Sequence, residues 1–255
     1  MSILDSKFDS KNKILRFSLT FCLIILLFGC SFFGILPVSS LNHSIDFKLL
    51  KKINTGGNTY FIQVIENLAF VSDVQFNCLI IYDIQKPSNP IEVSNYVDGP
   101  SGPHDTVFQK NLIFLADRSD GLEIINISDP INPILLSKTY TGGFAWSLEL
   151  YNSLVFVADH DRGLLTINVS DPANPQIINT YEKLGYNCVK IIQEKDLLLC
   201  SSEIKGLDIF DISIPTNITL VSSFQNVTDA WGVSFSKDIV YIPDFSGGLK
   251  IINIT

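Results

Sequence analysis

A thirteen-residue phrase recurs at intervals of 42 or 43 residues and constrains the fold more than any other feature of the chain. Two close copies span residues 121–133 and 163–175, and two looser copies span residues 78–90 and 206–218. A fifth copy begins at Gly248 and is cut short at Thr255. Because a fixed period of this length marks one supersecondary unit per repeat, we predict a single repeat domain rather than two unrelated ones.

Each repeat carries four short strand signals separated by turn residues. In the third unit the predicted strands span residues 144–150, 154–159, 163–169 and 176–181. Glycine, proline, asparagine and aspartate separate them at residues 152–153, 161–163 and 171–175. The chain after residue 40 shows no helical periodicity. Four strands in a unit of just over 40 residues therefore predict an all-β fold, a β-propeller built from four-stranded blades.

Five blades are expected, and the last unit ends after its third strand. Residues 45–52 precede the first unit and resemble a separate fourth strand, since Phe-Lys-Leu-Leu-Lys at 47–51 is similar to Pro-Ile-Leu-Leu-Ser-Lys at 133–138. We predict that this strand completes the last blade, closes the ring and covers an open edge strand. A closed ring would be a complete monomer, and the alternative is an open arc that needs a second chain.

The first 40 residues have the pattern of an export segment that precedes the propeller at residues 41–255. Basic residues at positions 7, 11, 13 and 16 come before residues 17–36, which carry no charge and predict a hydrophobic helix. Three fates are open: a cleaved signal peptide, an uncleaved membrane anchor, or a lipoprotein signal with Cys30 lipidated at the end of Leu-Phe-Gly-Cys. Each predicts a secreted or cell-surface propeller, since the basic flank stays inside.

Charge and cysteine content exclude several classes of partner and site. The net charge of −8 becomes more negative without the basic N-terminal segment, which disfavours nucleic acid and an anionic membrane face as partners of the propeller. Cys78, Cys188 and Cys200 remain after residue 40, at unlike positions of the repeat, so they do not form a disulfide framework. Cys200 is expected in the core, and a bridge between Cys188 and Cys200 stays open.

The repeated phrase also carries a family resemblance. Its consensus is Gly-Leu-x-Ile-x-Asn/Asp-Ile/Val-Ser-Asp-Pro-x-Asn-Pro, preceded by runs such as Leu-Val-Phe-Val-Ala-Asp at 154–159. This pattern resembles the LVIVD repeat family over nearly all of residues 45–255, although Ile214 and Ile218 depart from it. The resemblance implies an exported β-propeller of bacteria or archaea, and it implies no catalytic residue.

Candidate functional residues lie where the repeats differ. Aligned on their second strands, the blades place five residues near the start of the first strand, with one residue of slack in the fourth unit: Tyr60, His104, Trp146, Cys188 and Trp231. The second strand ends at five other residues: Asp73, Asp117, Asp159, Ser202 and Asp244. In a propeller both positions lie on one face, so an aromatic column and an acidic column are expected to meet at one mouth of the channel.

Such a mouth suits a binding function. Tyr60, His104, Trp146 and Trp231 are candidate ligand residues, because aromatic faces stack on sugars and attract cations. The carboxylates of Asp117, Asp159 and Asp244 are candidate acceptors for hydroxyl or cationic groups. We therefore expect a binding or scaffolding module for a glycan, a peptide or a partner protein. The alternative interpretation is structural: aromatics that fill the core between blades, and aspartates that form turns.

An enzymatic function has little support in the sequence. His104 beside Asp105, and His160 between two aspartates, are the candidate acid–base groups. No hydrolase, metalloprotease or phosphate-loop motif is present, and no cofactor or metal site is predicted. Two alternatives to binding remain: a hydrolase acting on surface polysaccharide, and a purely structural surface component.

Overall fold

The computed structural model describes residues 16–17, 48–97 and 99–255, which form five antiparallel sheets in chain order. The first sheet contains β1 (Arg16–Phe17), β2 (Thr59–Ile65), β3 (Leu68–Asp73), β4 (Cys78–Asp83) and β5 (Ile91–Tyr96). The second contains β6 (Asp105–Gln109), β7 (Leu112–Asp117), β8 (Gly121–Asn126) and β9 (Ile134–Thr139). The third contains β10 (Ala145–Tyr151), β11 (Leu154–Asp159), β12 (Gly163–Asn168) and β13 (Gln176–Tyr181).

The remaining strands form the fourth and fifth sheets. The fourth contains β14 (Tyr186–Ile192), β15 (Leu197–Ser202), β16 (Gly206–Asp211) and β17 (Thr219–Phe224), with a 3₁₀ turn at Gln193–Lys195. The fifth contains β18 (Ser234–Ser236), β19 (Ile239–Asp244) and β20 (Gly248–Asn253). Every sheet is a meander in which consecutive strands are hydrogen-bonded neighbours, as the short turns of the repeat require.

Alternate residues of the middle strands enter two different cores. Val155 and Val157 of β11 pack with side chains of the second sheet, whereas Phe156 and Ala158 pack with side chains of the fourth. Comparable clusters join the first sheet to the second and the fourth to the fifth. Successive sheets therefore stack face to face, and this burial on both sides explains why the second strands are continuous apolar runs. The arrangement is a propeller-like repeat fold.

The repeated phrase forms the third strand of a sheet and the turn after it. Gly163 opens β12 with φ of +100°, and a Cβ there would lie 2.2 Å from the carbonyl oxygen of Tyr181. At the other end of the phrase, Asp171 Oδ1 accepts a hydrogen bond from the N–H of Ala173 (3.1 Å), and Asp171 Oδ2 accepts one from Asn174 Nδ2 (2.8 Å). The role of the phrase is therefore architectural, as the sequence predicted.

The fifth sheet differs from the predicted four-stranded blade. Its described strands are three, and β20 lies at the edge, with Leu249 and Ile251 60% and 62% exposed. The predicted closing strand spans residues 45–52. Its residues 48–52 form no strand, and Leu49 is 80% exposed, while residues 45–47 lie outside the described part. The first sheet instead gains β1, in which Phe17 is paired with Ile62.

The export segment at residues 1–40 lies outside the described residues except for β1. The predicted hydrophobic helix at residues 17–36 and the candidate lipidation site Cys30 therefore fall there, apart from the backbone of Phe17. Within the described ranges, no helix has the length and apolar character needed to cross a bilayer.

Candidate functional site

Four aromatic side chains from four different sheets converge at one end of the fold, and we call this group the aromatic mouth. The ring centroids of Tyr60 and His104 are 4.4 Å apart, and those of His104 and Trp146 are 4.1 Å apart. Trp231 meets Trp146 edge-on at 5.8 Å. Residues separated by about 40 positions are therefore neighbours, and the structure brings together the aromatic column that the repeat alignment predicted.

A β-bulge in the first strand presents Trp146 and Tyr60 of this group. In the third sheet Ala145 pairs with Asp159 and Ser147 pairs with Ala158, so Trp146 is the extra residue between them. Tyr60 is the extra residue of the first sheet in the same way. Since a bulged residue is left out of the ladder, its side chain is re-aimed away from the regular pleat.

An equivalent bulge in β14 shows which residue of the fourth sheet holds this position. Tyr186 pairs with Ser202 and Cys188 pairs with Ser201, which makes Asn187 the bulged residue. The sequence alignment placed Cys188 at this position, and that assignment was wrong by one residue. The sequence does not show where a bulge inserts an extra residue. The other repeats have aromatic residues at this position, so an asparagine was not expected there.

The mouth combines exposed aromatic side chains with buried polar ones. Tyr60 and Trp231 are 37% and 43% exposed. His104 and Asn187 are only 3% and 5% exposed, and Trp146 is half-buried. His104 contacts Trp146, and Asn187 holds the bulge position of the fourth sheet that Trp146 holds in the third. We call His104, Trp146 and Asn187 the floor of the mouth.

Arg118 is a residue of this site that the sequence analysis missed. Its Nε donates a hydrogen bond to His104 Nε2 over 2.7 Å, and its guanidinium carbon lies 5.7 Å from the centre of the Trp146 ring. Burial, together with the positive charge of Arg118, lowers the pKa of His104 to about 3. His104 is therefore a neutral imidazole at physiological pH.

Several polar atoms of the floor have no hydrogen-bond partner among the described residues. They are His104 Nδ1, Trp146 Nε1, and both Nδ2 and Oδ1 of Asn187. A buried polar group without a partner costs about 1–3 kcal/mol, so native structures normally satisfy such groups with protein, ordered water or ligand.

The acidic column lies behind this mouth rather than in it. Asp159 is fully buried, and its Oδ1 accepts hydrogen bonds from the N–H groups of Asp161 and Arg162, each at 3.0 Å. Asp244 is 4% exposed and accepts from the Thr228 hydroxyl at 3.2 Å. Hydrogen bonds from Thr228 and the charge of Lys250 lower the pKa of Asp244 despite its burial. These carboxylates hold the turns between the second and third strands.

Asp117 belongs to a separate acidic cluster with Asp120 and Glu123. The ammonium group of Lys138 lies 3.0 Å from Asp120 Oδ2 and 3.0 Å from Glu123 Oε1. The cluster therefore already holds a cation supplied by the protein, and it carries no metal assignment.

The remaining histidine and cysteine candidates make contacts of their own. His160 links two sheets, with Nδ1 2.8 Å from Asp161 Oδ1 and Nε2 2.8 Å from Glu203 Oε1. Cys78, Cys188 and Cys200 are free thiols, so the bridge left open between Cys188 and Cys200 is not formed. Cys200 is fully buried, which confirms its expected core role.

A shallow polar depression of about 430 Å³ lies between the third and fourth sheets. Its lining residues are Asp161, Arg162, Glu182, Lys183, Leu184 and Lys205. No residue of the mouth lines it, so its charged and open surface is unrelated to the aromatic convergence.

Sequence comparison identifies the repeat. The LVIVD repeat matches residues 56–98, 108–141, 142–183, 202–226 and 228–255. The chain belongs to the LVIVD repeat family. No curated protein shows significant sequence similarity to it.

Solved structures resemble this LVIVD repeat protein in fold alone. A putative 6-phosphogluconolactonase from Bacteroides uniformis has a TM-score of 0.69 at 13% identity, covering 78% of this chain and 67% of that one. The computationally designed Ika8 protein has a TM-score of 0.62 at 12% identity over 77% of this chain, which spans 58% of the length of Ika8. The designed Ika4 protein has a TM-score of 0.52 at 12% identity, covering 65% of this chain and 99% of Ika4.

The matched ranges divide the mouth of this LVIVD repeat protein into two groups. Tyr60, Trp146 and Trp231 lie within matched repeats, whereas His104 and Asn187 lie in the stretches between them. Three aromatic residues of the mouth therefore belong to segments that match the family repeat. The buried residues His104 and Asn187 belong to segments that do not match it.

Proposed function

We propose that this LVIVD repeat protein is a binding module whose ligand, a glycan, docks on the aromatic mouth. The observation that carries the proposal is the convergence of four aromatic rings from four sheets, two of which keep more than a third of their surface exposed. Exposed aromatic faces stack against the C–H faces of sugar rings, and nearby polar groups orient the hydroxyls.

The two exposed rings provide the test. We expect Trp231→Ala and Tyr60→Ala each to weaken binding about tenfold or more in a glycan screen followed by calorimetry, because each removes a stacking face. The matched control is Ile131→Ala, which removes an exposed apolar side chain (65% exposed) from the turn after β8, at the opposite end of the sheets. Equal binding by all variants would refute the proposal, and unchanged unfolding midpoints would separate lost binding from lost folding.

Within the described residues, nothing favours catalysis over binding. The Nε2 of His104 accepts a hydrogen bond from Arg118, and both nitrogens of His160 contact carboxylates. The carboxylates of Asp159 and Asp244 hold turns. These contacts support the binding proposal over the hydrolase alternative.

We further propose that the fold closes into a ring of five blades when residues 45–52, of which 48–52 form no strand in the described structure, add to β20 as the outer strand of the last blade. The support is the open edge of β20 and its exposed Leu249 and Ile251, which a fourth strand would cover. The similarity between residues 47–51 and 133–138 gives the register of that strand. A ring closed in this way needs no second chain and would be a monomer.

The proposed location is outside the cell, with residues 1–40 acting as a signal peptide, an anchor or a lipoprotein signal at Cys30. The support is the basic flank followed by the uncharged run at residues 17–36. A glycan-binding surface at the cell exterior agrees with that placement. Mass spectrometry of the N-terminus of the exported protein would distinguish the three fates.

A further inference from the structure

We propose that the floor of the mouth binds a carboxylate group, so that the preferred ligand is an acidic saccharide such as a uronate. The inference rests on the proposed glycan-binding function and specifies its ligand. It concerns buried polar atoms of three side chains, His104, Trp146 and Asn187, together with the guanidinium of Arg118. Trp146 is the residue shared by the stacking surface and the floor.

The hydrogen bond from Arg118 determines which nitrogen of His104 carries the proton. Because a guanidinium N–H can only donate, the His104 Nε2 that it contacts at 2.7 Å must be the lone-pair nitrogen. A neutral imidazole carries one proton, which therefore lies on Nδ1. His104 Nδ1 is buried and has no partner among the described residues, so it is an unused donor.

Trp146 and Asn187 add further donors. The indole N–H of Trp146 can only donate, and the amide of Asn187 offers two N–H donors and one carbonyl acceptor. All of these atoms are buried without described partners. The unpartnered atoms of the floor thus supply four donor hydrogens and only one acceptor oxygen. A ligand group that satisfies them must accept several hydrogen bonds at once.

Charge favours a carboxylate over a neutral acceptor. The guanidinium of Arg118 contacts both the His104 and Trp146 side chains, which places a cation beside the floor. Two nearby carboxylates use other donors than the floor: Asp105 Oδ2 accepts from the Ser147 hydroxyl at 2.8 Å, and Asp229 Oδ1 accepts from Trp231 Nε1 at 2.5 Å. Hydrogen bonds to an ionised acceptor are about twice as strong as neutral ones.

Access to the floor depends on the exposed aromatic side chains. The unpartnered atoms are screened from solvent, while Tyr60 and Trp231 remain more than a third exposed. In the proposed complex, the sugar ring stacks on Tyr60 and Trp231 while its carboxylate accepts hydrogen bonds from the floor.

The test compares glucuronate with glucose, which differ at the carboxylate, by calorimetry on the full chain. We expect glucuronate to bind at least tenfold more tightly. Asn187→Leu and Arg118→Met should remove that preference, and Arg118→Lys should restore part of it through charge. Trp231→Ala should weaken both sugars alike. Glu66→Gln, which removes an exposed carboxylate from the turn between β2 and β3 at the opposite end of the sheets, serves as the matched control and should alter neither.

A spectroscopic readout checks the same inference independently of affinity. The His104 Nδ1–H resonance should be present in the free protein and should shift on addition of glucuronate but not of glucose. Equal affinity for the two sugars would overturn the carboxylate inference and leave the glycan-binding function standing. Absence of binding by every glycan tested would overturn both, and preference for a peptide with a free carboxyl terminus would overturn the saccharide assignment.

Discussion

At the residue scale, the aspartates at the ends of the second strands determine which residues can precede the first strands. The carboxylate of Asp159 lies against the backbone of Gly143, where a Cβ would come within 2.1 Å of Oδ1. Gly57 lies equally close to Asp73, with a Cβ 2.2 Å from Oδ1. A side chain at either glycine would displace a buried carboxylate from the turn that it stabilises.

Gly143→Ala is therefore expected to lower the free energy of unfolding by about 1–3 kcal/mol, as overpacking at a buried site does. Urea denaturation followed by tryptophan fluorescence measures it. Gly232→Ala is the matched control, because its nearest atom, Pro243 Cγ, would lie 3.6 Å away in ordinary contact. Equal losses in the two variants would show that Asp159 does not restrict position 143.

At the element scale, the turn between the first and second strands contains one left-handed residue in each of the five sheets. Five non-glycine residues at equivalent positions have φ between +51° and +57°: Glu66, Lys110, Asn152, Asp196 and Lys237. This left-handed conformation costs an ordinary side chain about 1–2 kcal/mol. Each of these hairpins therefore contains one residue with an unfavourable positive φ. Of the five residues, Asn152 adopts this conformation at the lowest cost.

Replacement of Lys110, an exposed residue with φ of +56°, should relieve that strain. We expect Lys110→Gly to raise the free energy of unfolding by about 0.5–1 kcal/mol, less than the full strain because glycine loses more entropy on folding. Lys110→Ala keeps the unfavourable backbone and should bring no gain. An equal gain in both variants would point to the lysine side chain rather than to φ.

His160, at the contact between the third and fourth sheets, is a titratable group whose pKa differs from its ordinary value. Burial alone would lower the pKa of His160, but hydrogen bonds and charge from Glu203 and Asp161 raise it overall. A raised folded-state pKa means that the stabilisation is complete below the unfolded value near 6.5 and is lost as pH rises through the folded value.

His160→Gln should therefore destabilise the protein more at pH 5.5 than at pH 8.5. The difference should be about 0.2–1 kcal/mol, since the pair is partly exposed and screened by solvent. Thermal unfolding at the two pH values measures it, with Glu203→Gln as a second variant that should show the same trend. A larger effect of His160→Gln at pH 8.5 would reverse the assigned sign.

At the scale of the whole molecule, the open edge of β20 decides whether the five sheets form a ring or an arc. If residues 45–52 close the ring, the outward amides of β20 should be protected from hydrogen exchange in the full-length protein at any concentration. A Leu49→Pro, Leu50→Pro variant should lose that protection, because proline cannot donate to the ladder. Protection that grows with protein concentration would instead indicate pairing with a second chain.

Much of the fold was predictable because each strand and turn is encoded locally. The third unit was predicted at 154–159 and 176–181, and the observed strands Leu154–Asp159 and Gln176–Tyr181 agree with it. The structure also shows the predicted convergence of four aromatic residues, Tyr60, His104, Trp146 and Trp231. It was predictable because a constant repeat length places equivalent residues at the same end of each sheet. Their role in binding stays a prediction.

The sequence by itself determined the repeat, its strands and the end of the fold at which the aromatic residues meet, because periodicity and turn chemistry act over a few residues. Only the tertiary structure decided that Asn187, not Cys188, is the bulged residue of the fourth sheet, because a bulge shifts a strand by one residue. Contacts between segments distant in sequence also place Arg118 on His104 and the carboxylate of Asp159 against Gly143. Such contacts decide which buried polar atoms keep no partner among the described residues.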